Sequence, residues 1–351
     1  MLGYIQPAEW QPHSACWLAF PSDRSLWLEN LEAAQAEFVD LAKVIGYSEQ
    51  LELLVANLET EAIARQLLVG TSARFHSIPY GDIWMRDIAP IFLNKKSTKE
   101  ITKDLIEETK KELGTVTFSW NGWGHKYLLE HDDQVAIAIS EFLAKTQNIP
   151  TVRFPWVLEG GAVEVDGLGT CLTTKQCLLN PNRNPHLTQT EIEQGLSEAL
   201  GVSKILWLEA GLLNDHTDGH IDTIARFIAP HTVICMKPES KDDPNYTVLN
   251  QIAAQLKGFT DATGKNLEVI EIPSTGLVLD PDGEVMPASY LNFYIANGHV
   301  IVPTYGSEFD QLAVGAIAQH FPTRQTLGLS AKIILSGGGA FHCITQQQPL
   351  I

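Results

Sequence analysis

The sequence predicts an α/β protein. Short apolar runs of strand length alternate with segments whose apolar residues recur at helical spacing, and this alternation continues along almost the whole chain. With 351 residues, of which 44% are hydrophobic, the chain can bury a large core as one domain or as two. Because no linker rich in proline, glycine or serine divides it, we expect a single domain over residues 1–351.

The N-terminal half begins with an apolar run at 15–21, bracketed by prolines, which predicts a strand. Helical spacing then predicts a helix over 30–45, ended by Gly46. The same reasoning predicts strands at 51–55, 73–75, 116–120 and 151–154, and helices at 60–68, 100–113 and 132–144. The N-terminal half therefore repeats a strand and helix unit several times.

The C-terminal half continues this pattern. Thr188 and Glu191 form a capping box that predicts a helix from Thr188 to Leu200. Further predicted elements are strands at 205–208, 223–228, 267–271 and 332–335, and helices at 246–256 and 309–320. The whole chain thus contains five or six strand-helix modules of uneven length without an exact sequence repeat.

The charge and the cysteines restrict the function. Lys+Arg 24 against Asp+Glu 42 gives 24 − 42 = −18, so bulk charge excludes nucleic acid and anionic membranes as partners and favours a small cation. The opening residues lack the basic and apolar regions of a signal peptide, which predicts a cytoplasmic protein. Five cysteines without a C-x-x-C pair predict neither a disulfide framework nor a zinc ribbon.

Three consecutive glycines follow the predicted strand at 332–335 and precede Cys343. Glycines let the backbone adopt positive φ and approach other groups closely, which would present Cys343 at a rim. A thiolate is a strong nucleophile when its pKa is lowered, although a buried cysteine that only packs is the alternative. On a strand the adjacent His342 would face the opposite way, so we do not expect it to be the partner of the thiol.

Two further stretches place acids among apolar residues or glycines. Around Trp84, either Arg86 neutralises Asp82 or Asp87, or Asp87 lies on the opposite strand face from Arg86 and accepts from a cation. Trp84 could then stack on that cation. Glu159 precedes two glycines, where it is either a turn cap or a second acid of the site.

The densest polar cluster runs from residue 214 to 222. If a strand already begins at His220, His220 and Asp222 face the same side and share a pocket as base and carboxylate. The alternative is a metal site made of His216, His220 and Asp222. We favour acid-base chemistry, because no other cluster supplies a clear fourth ligand and a metal would compete for the thiolate.

Together these stretches resemble the agmatine deiminase family, part of the peptidylarginine-deiminase-like group of guanidine-modifying enzymes. The motifs that carry the resemblance are Trp84-Met85-Arg86-Asp87, Leu158-Glu159-Gly160-Gly161, Asp218-Gly219-His220-Ile221-Asp222, and Gly337-Gly338-Gly339 with His342-Cys343-Ile344-Thr345-Gln346-Gln347. The opening Pro7-Ala8-Glu9-Trp10 and the run from Cys177 to Pro185 also look like that family, so the likeness covers almost the whole chain.

The resemblance implies a pentein α/β-propeller, in which five strand-helix modules surround a pseudo-fivefold axis with the active site at its centre. It also implies hydrolysis of a guanidinium group without a metal or organic cofactor. Cys343 would be the nucleophile and His220 the acid and base, Asp87 and Asp222 would hold the guanidinium nitrogens, and Glu159 would pair with the cation and orient His220. Three carboxylates around a desolvated cation suit that chemistry.

The expected substrate is agmatine, giving ammonia and N-carbamoylputrescine, a step of putrescine and polyamine biosynthesis. His216 stands where the family commonly has an aspartate associated with substrate binding, so the tail of the substrate is the least determined part. Free or peptidyl arginine is the alternative substrate, and an inactive polyamine-binding protein is the alternative of another class. We also expect the charge of the substrate to help ionise Cys343, and the sequence leaves a monomer and a homo-oligomer both open.

Overall fold

The computed structural model describes residues 3–95, 101–102, 105–106 and 112–351. In chain order the strands are β1 (Tyr4–Ile5), β2 (His13–Ala19), β3 (Gln50–Leu54), β4 (Ala73–His76), β5 (Ile91–Lys95), β6 (Ile101–Thr102), β7 (Leu105–Ile106), β8 (Leu113–Ser119), β9 (Thr151–Val157), β10 (Glu164–Val165), β11 (Thr170–Thr174), β12 (Lys204–Leu208), β13 (Ala225–Ala229), β14 (Thr232–Lys237), β15 (Glu268–Pro273), β16 (Tyr294–Ile295), β17 (His299–Thr304), β18 (Gln325–Ser330) and β19 (Gln346–Pro349). The α-helices are α1 (Arg24–Trp27), α2 (Leu31–Gly46), α3 (Leu58–Leu67), α4 (Met85–Ile88), α5 (Gly122–His125), α6 (Asp132–Gln147), α7 (Lys175–Leu178), α8 (Gln189–Leu200), α9 (Tyr246–Lys257), α10 (Asp310–Ala318) and α11 (Lys332–Ser336). Short 3₁₀ helices cover Leu28–Asn30, Gly160–Ala162 and Ile221–Thr223.

Five small sheets repeat one topology. In each, a first strand runs antiparallel to a second, and the second runs parallel to a third. At least one helix connects the second strand to the third, as parallel pairing requires. The strand triplets are β19-β2-β3, β5-β8-β9, β10-β11-β12, β13-β14-β15 and β16-β17-β18. The α/β prediction and the count of modules are confirmed.

The two ends of the described chain meet in the first sheet. Strand β19 pairs antiparallel with β2, with Gln346 opposite Trp17. This strand was not predicted, because its glutamines show no apolar pattern. The first module therefore needs the C-terminal strand to complete it, and the single domain stays a prediction.

Neighbouring modules pack helix against strand. Helix α9 contacts β12, α10 contacts β15, and α2 contacts β17 and β18. The largest hydrophobic cluster extends through these contacts and includes Leu18, Leu208, Ile234 and Ile301. The pseudo-fivefold axis stays a prediction. No helix in the described ranges combines the length and apolar character needed to span a lipid bilayer.

Two predicted elements differ from the structure in type. The helix predicted at 100–113 is wrong where it can be compared, because β6, β7 and the start of β8 are strands, and the rest lies outside the described residues. The strand predicted at 332–335 is helix α11, and the sheet strand before it is β18. Glu37 Oε2 accepts from the backbone N–H of Ile333 and Ile334 at 3.0 Å, so a carboxylate from α2 caps the start of α11.

Candidate active site

The stretch around Trp84 forms the short helix α4 and not a strand, so the prediction about strand faces is wrong. Helical geometry still sends the two neighbouring charged side chains in different directions. Arg86 donates to Gln346 Oε1 at 3.0 Å and to Gln347 Oε1 at 2.6 Å, and its nearest carboxylate is Glu9, at 3.7 Å. Arg86 therefore does not neutralise Asp82 or Asp87. This result rules out the alternative that the motif is only an internal ion pair.

Asp87 is buried and held by two donors. Trp123 Nε1 donates to its Oδ2 at 2.8 Å, and the backbone N–H of Gly161 donates to its Oδ1 at 2.9 Å. Burial raises the pKa of Asp87, the nearby His220 opposes that shift, and the charges of Asp222 and Glu159 add to it. Asp87 is thus a fixed acceptor in a negative environment that would favour a cation.

His220 directly precedes the 3₁₀ helix Ile221–Thr223 and Asp222 lies within it, while strand β13 begins only at Ala225. The strand that was expected to bring them together is wrong, but the two side chains do converge. A Cβ on Gly161 would lie 2.6 Å from His220 Nδ1, 3.0 Å from Asp87 Oδ1 and 3.1 Å from Asp222 Oδ2. Three of the predicted side chains therefore surround one point, and Gly161 leaves it free.

His220 is completely buried and its ring nitrogens have no hydrogen-bond partner within the described residues. Its Nδ1 lies 3.8 Å from Asp87 Oδ1. Buried polar atoms are normally paired, so an unpaired imidazole beside carboxylates is suited to exchange protons with a bound molecule.

Glu159 is equally buried and pairs with Arg183, whose Nε donates to its Oε1 at 2.5 Å. Its Oε2 has no partner within the described residues. Ligand atoms of Glu159, His220 and Cys177 lie within 4.8 Å of one another. Glu159 is therefore placed to act on His220, while one of its oxygens is already occupied by a protein cation.

Cys343 follows α11 and the glycines 337–339, in a turn. Its Sγ lies 3.1 Å from Asn292 Nδ2, which donates to it, and 3.6 Å from Asp222 Oδ2. Burial raises the pKa of the Cys343 thiol well above its ordinary value, and the charges of Asp222 and Asp87 add to the rise. In the free protein the thiol is therefore protonated at neutral pH.

Asp222 is the acid nearest the sulfur and stays ionised. Burial alone would raise its pKa, but a hydrogen bond from His342 Nδ1 at 2.7 Å and the positive charges around it bring the pKa below its ordinary value. His342 Nε2 lies 2.8 Å from Glu9 Oε2. His342 thus contacts the carboxylate of Asp222 and not the thiol of Cys343. His342 was likewise not expected from the sequence to be the partner of the thiol.

A cavity of about 380 Å³ reaches the sulfur from outside. Cys343 and Asp87 line it, and His220, Asp222 and Glu159 are buried behind its wall. The remaining wall is largely aromatic and apolar, with Trp27, Trp84, Trp123, Tyr127, Leu26, Leu28, Leu129, Asn30, Asp82, His216, Thr217, Ser336 and the glycines 337–339. Of the predicted binding residues, Trp84 and His216 therefore line the cavity.

The alternative metal site does not form as expected. Within the described residues the group whose ligand atoms come together is Glu159, Cys177 and His220, and it contains neither His216 nor Asp222. Arg183 already holds Glu159, and burial raises the pKa of the Cys177 thiol well above its ordinary value. A resident Arg183 cation makes this group a poor host for a second positive charge.

Sequence reasoning missed Asn292, Trp123 and Glu9. Asn292 is a single polar residue inside the aromatic run Tyr290–Tyr294. A lone amide in an apolar run is a detectable signal, because burying it requires hydrogen-bond partners. Trp123 stands between two glycines in a left-handed conformation, with φ of 52°. Only the fold reveals that Asn292 contacts Cys343, that Trp123 holds Asp87 and that Glu9 contacts His342.

The chain matches the family model described as Porphyromonas-type peptidyl-arginine deiminase over residues 5–349. A protein of Legionella pneumophila (strain Paris) that carries a provisional agmatine deiminase name is 41% identical over 352 residues, covering 99% of this chain and 96% of its own. The agmatine deiminase of Medicago truncatula is 34% identical, covering 99% of this chain and 97% of its own.

Solved structures agree with these matches. An agmatine deiminase of Enterococcus faecalis superimposes with a TM-score of 0.88 at 31% identity, covering 99% of this chain and 96% of its own. The more distant DDAH from Pseudomonas aeruginosa, at 10% identity and a TM-score of 0.52 over 96% of this chain and 99% of its own, shares the pentein fold.

Proposed function

The chain belongs to the family of Porphyromonas-type peptidyl-arginine deiminases, and we propose that it hydrolyses agmatine to N-carbamoylputrescine and ammonia through Cys343. Relatives named agmatine deiminase cover the whole chain. The observation that carries the proposal is the convergence of Cys343, Asp222, His220 and Asp87 beside one cavity. These residues supply a nucleophile, a proton carrier and two acceptors for a guanidinium group.

The first half of the reaction forms a covalent bond. The guanidinium group donates to Asp87 and Asp222, which orients its carbon toward the sulfur. The Cys343 thiol passes its proton to His220 and its sulfur attacks that carbon. The bond to one terminal nitrogen breaks, and ammonia leaves with the proton from His220. An amidino-thioether on Cys343 remains.

The second half consumes water. His220, now neutral, takes a proton from a water molecule that attacks the amidino carbon. The bond between carbon and sulfur breaks, Cys343 leaves as thiolate, and the product is a ureido group. Glu159 orients the ring of His220, which makes it a positioning residue.

The bound substrate activates the thiol. In the free protein, burial and two carboxylates keep Cys343 protonated. A guanidinium cation between Asp87 and Asp222 cancels the repulsion that these carboxylates exert on a thiolate. This supports the expectation that the charge of the substrate helps ionise Cys343.

Agmatine fits the cavity better than arginine does. Among the described residues that line it there is no lysine or arginine to receive an α-carboxylate. The two carboxylates that do line it, Asp82 and Asp87, would repel one. Comparing kcat/KM for agmatine, free arginine and a blocked arginine peptide separates these substrates, and we expect agmatine to be the best.

Substitution of the nucleophile tests the reaction. Cys343→Ala should abolish ammonia release from agmatine, since no other group can form the thioether, and His220→Ala should lower kcat by several orders of magnitude. Acid-quenched protein should carry, on Cys343, the mass of agmatine less ammonia. Measured ammonia release by Cys343→Ala would refute the proposal.

Controls distinguish the enzyme from a passive polyamine-binding protein. Cys235 is a buried cysteine in β14, outside the cavity, so Cys235→Ala should keep the activity. 2-Chloroacetamidine carries the amidine charge and should label Cys343 selectively, with agmatine protecting it. A binding protein would bind agmatine without releasing ammonia. We also propose a cytoplasmic location, on the charge and the opening residues, which cell fractionation can test.

A further inference from the structure

We propose that Asp82 binds the distal ammonium group of the substrate and thereby sets the preference for a guanidine with a second positive charge. The inference rests on the proposed function, because it concerns the tail of the molecule that Cys343 attacks. It assigns a specificity residue to a position that the sequence motifs left without a role.

Asp82 is a buried carboxylate that faces the catalytic cavity. It is 8% exposed and lines the cavity wall. Trp27 Nε1 donates to its Oδ1 at 3.1 Å, and Trp84 Nε1 donates to its Oδ2 at 2.8 Å. Both donors are neutral, and within the described residues no arginine, lysine or histidine forms an ion pair with Asp82. Burying a carboxylate without a neighbouring cation costs free energy, so a cation that enters the cavity would be a favourable partner for Asp82.

The other charged groups near Asp82 are also acidic. Asp132 Oδ1 accepts from the backbone N–H of Gly81 at 2.7 Å and of Asp82 at 3.4 Å, and the exposed Asp23 repels Asp82 from the other side. Burial raises the pKa of Asp82 to about 6 and that of Asp132 to about 7. Asp133 is a further acid beside Asp132 and adds to the rise of its pKa. The Tyr80 hydroxyl also lies near Asp82, and burial raises its pKa. The groups named here include no cation, and the ammonium group of a substrate would supply one.

Trp84 connects this carboxylate to the nucleophile. Its Nε1 bonds to Asp82, and the opposite edge of its ring lies 2.8 Å from the position that a Cβ of Gly339 would take. That position is 3.0 Å from Cys343 Sγ. One indole ring thus joins the carboxylate to the neighbourhood of the sulfur along the cavity wall, so the tail of a guanidine held at Cys343 can extend toward Asp82.

The aromatic rings strengthen such a site. Trp27 and Trp84 stack with their centroids 6.5 Å apart and an interplanar angle of 29°. Both line the cavity with Asp82. Indole faces attract cations, and they do so more strongly where water is excluded. An ammonium group here would meet one carboxylate and two indoles.

His216, the position that departs from the family pattern, has other partners. Its Nδ1 lies 3.1 Å from the Tyr127 hydroxyl, and the two rings stack with centroids 5.8 Å apart. An imidazole offers no negative charge to an ammonium group. Among the described residues that line the cavity, Asp87 and Asp82 are the carboxylates, and they match the two positive charges of agmatine.

The direct test compares agmatine with pentylguanidine, whose tail has the same length and no charge. The measured quantity is the selectivity, the ratio of kcat/KM for the two substrates. Asp82→Asn should lower it about 10- to 100-fold, the loss expected when a charge-assisted hydrogen bond is removed. Asp23→Asn is the matched control, because Asp23 caps α1 from the surface and asparagine caps equally well. Its selectivity should change less than about 2-fold.

A second measurement needs no variant, which matters because the new amide of Asp82→Asn would face an indole donor. In the unaltered protein the selectivity should rise as the pH increases from 5 to 7.5, because Asp82 becomes ionised near pH 6. Protonation changes at the reacting centre affect both substrates and cancel in the ratio. Equal selectivity across this range, or an equal loss of both activities in Asp82→Asn, would overturn the inference and leave deimination intact. Failure to hydrolyse either guanidine would instead refute the proposed function.

Discussion

Asn292 shows how a single amide can hold a nucleophile in place. Its Oδ1 accepts from the backbone N–H of Ala340 at 3.1 Å, His342 at 3.0 Å and Cys343 at 3.2 Å. Its Nδ2 donates to Cys343 Sγ at 3.1 Å. The amide therefore fixes the turn and also offers the only side-chain donor recorded, in the described part of the chain, at the sulfur. That donor would stabilise a thiolate against the nearby carboxylates.

Removing this amide should weaken the nucleophile. In Asn292→Ala we expect kcat/KM for agmatine to fall about 10- to 100-fold, because a hydrogen bond to a charged atom is lost. The pKa of the Cys343 thiol should rise further, which the pH dependence of its alkylation by iodoacetamide measures.

Asn297→Ala is the matched control for this substitution. Asn297 bonds to the backbone of His13 and Ser48 and does not line the cavity. Both variants lose an amide that bonds to the backbone, but only Asn292→Ala should change the alkylation profile. An unchanged profile in Asn292→Ala would contradict the role given to this residue.

At the residue level, the sequence named the residues to which we assign the chemistry but missed the residues that hold them. Cys343, His220, Asp87, Asp222 and Glu159 were all named from motifs and all lie at or next to the cavity. Asn292 was missed because its partners are about 50 residues away along the chain, and spacing within a motif cannot reveal such contacts.

The elements that carry the site are turns and short helices. Asp87 lies in a helix of one turn, Glu159 precedes a 3₁₀ helix, and His220 precedes another. The backbone N–H of Arg86 donates to the carbonyl of Cys343 at 3.0 Å, which joins the helix that carries Asp87 to the turn that carries Cys343. Sequence periodicity predicted strands at Asp87 and His220, because stretches this short show no helical period.

Gly161 gives a prediction at this level. A Cβ there would lie within 3.1 Å of His220, Asp87 and Asp222 side-chain atoms. Gly161→Ala should therefore displace these groups and lower kcat/KM at least about 100-fold, because small misplacements of reacting groups are costly. Steady-state assays of ammonia release measure it.

Gly315→Ala is the control for Gly161→Ala. Gly315 is exposed in the middle of α10, and a Cβ there would meet nothing within 4 Å. This variant should keep full activity and gain about 0.5–1 kcal/mol of stability, since alanine favours a helix over glycine. Full activity in Gly161→Ala would show that the space it leaves is not needed.

At the scale of the whole molecule, buried charges join distant modules. Glu9, near the N-terminus, accepts from Arg226 Nη2 at 2.7 Å and lies 2.8 Å from His342 Nε2. Burial alone would raise the pKa of Glu9, but Arg226 and His342 bring it well below its ordinary value. Because His342 also contacts Asp222, the first module, the fourth module and the nucleophile turn share one ionised network.

The stability of the molecule should depend on pH in a defined direction. The pKa values of Asp82 and Asp132 rise on folding from 3.8 to about 6 and about 7, so the folded state binds more protons than the unfolded state in that range. The free energy of unfolding should therefore fall as the pH increases from about 4 to about 7. The folded-state pKa of Asp82 lies about one pH unit above 5 and that of Asp132 about two, so the fall above pH 5 should be about 4 kcal/mol. Glu9 and Asp222, whose pKa values are lowered, reverse this trend below about pH 4.

Thermal unfolding at several pH values measures this trend, and Tm should be several degrees higher at pH 5.5 than at pH 8. The net charge of −18 acts in the same direction through repulsion, but 0.5 M salt screens exposed charges and leaves buried ones. The trend should therefore persist in salt. A Tm that increases steadily up to pH 8 would contradict these pKa shifts.

The sequence alone predicted the fold class and the number of modules and named the residues to which we assign the chemistry, because hydrophobic spacing and motif chemistry are local properties of the chain. Tertiary structure alone decided which groups meet. It paired Glu159 with Arg183, placed Asn292 on the sulfur, and left Asp82 facing the cavity between two indoles. These contacts join residues far apart in the chain, so burial and packing, which no local pattern encodes, select them.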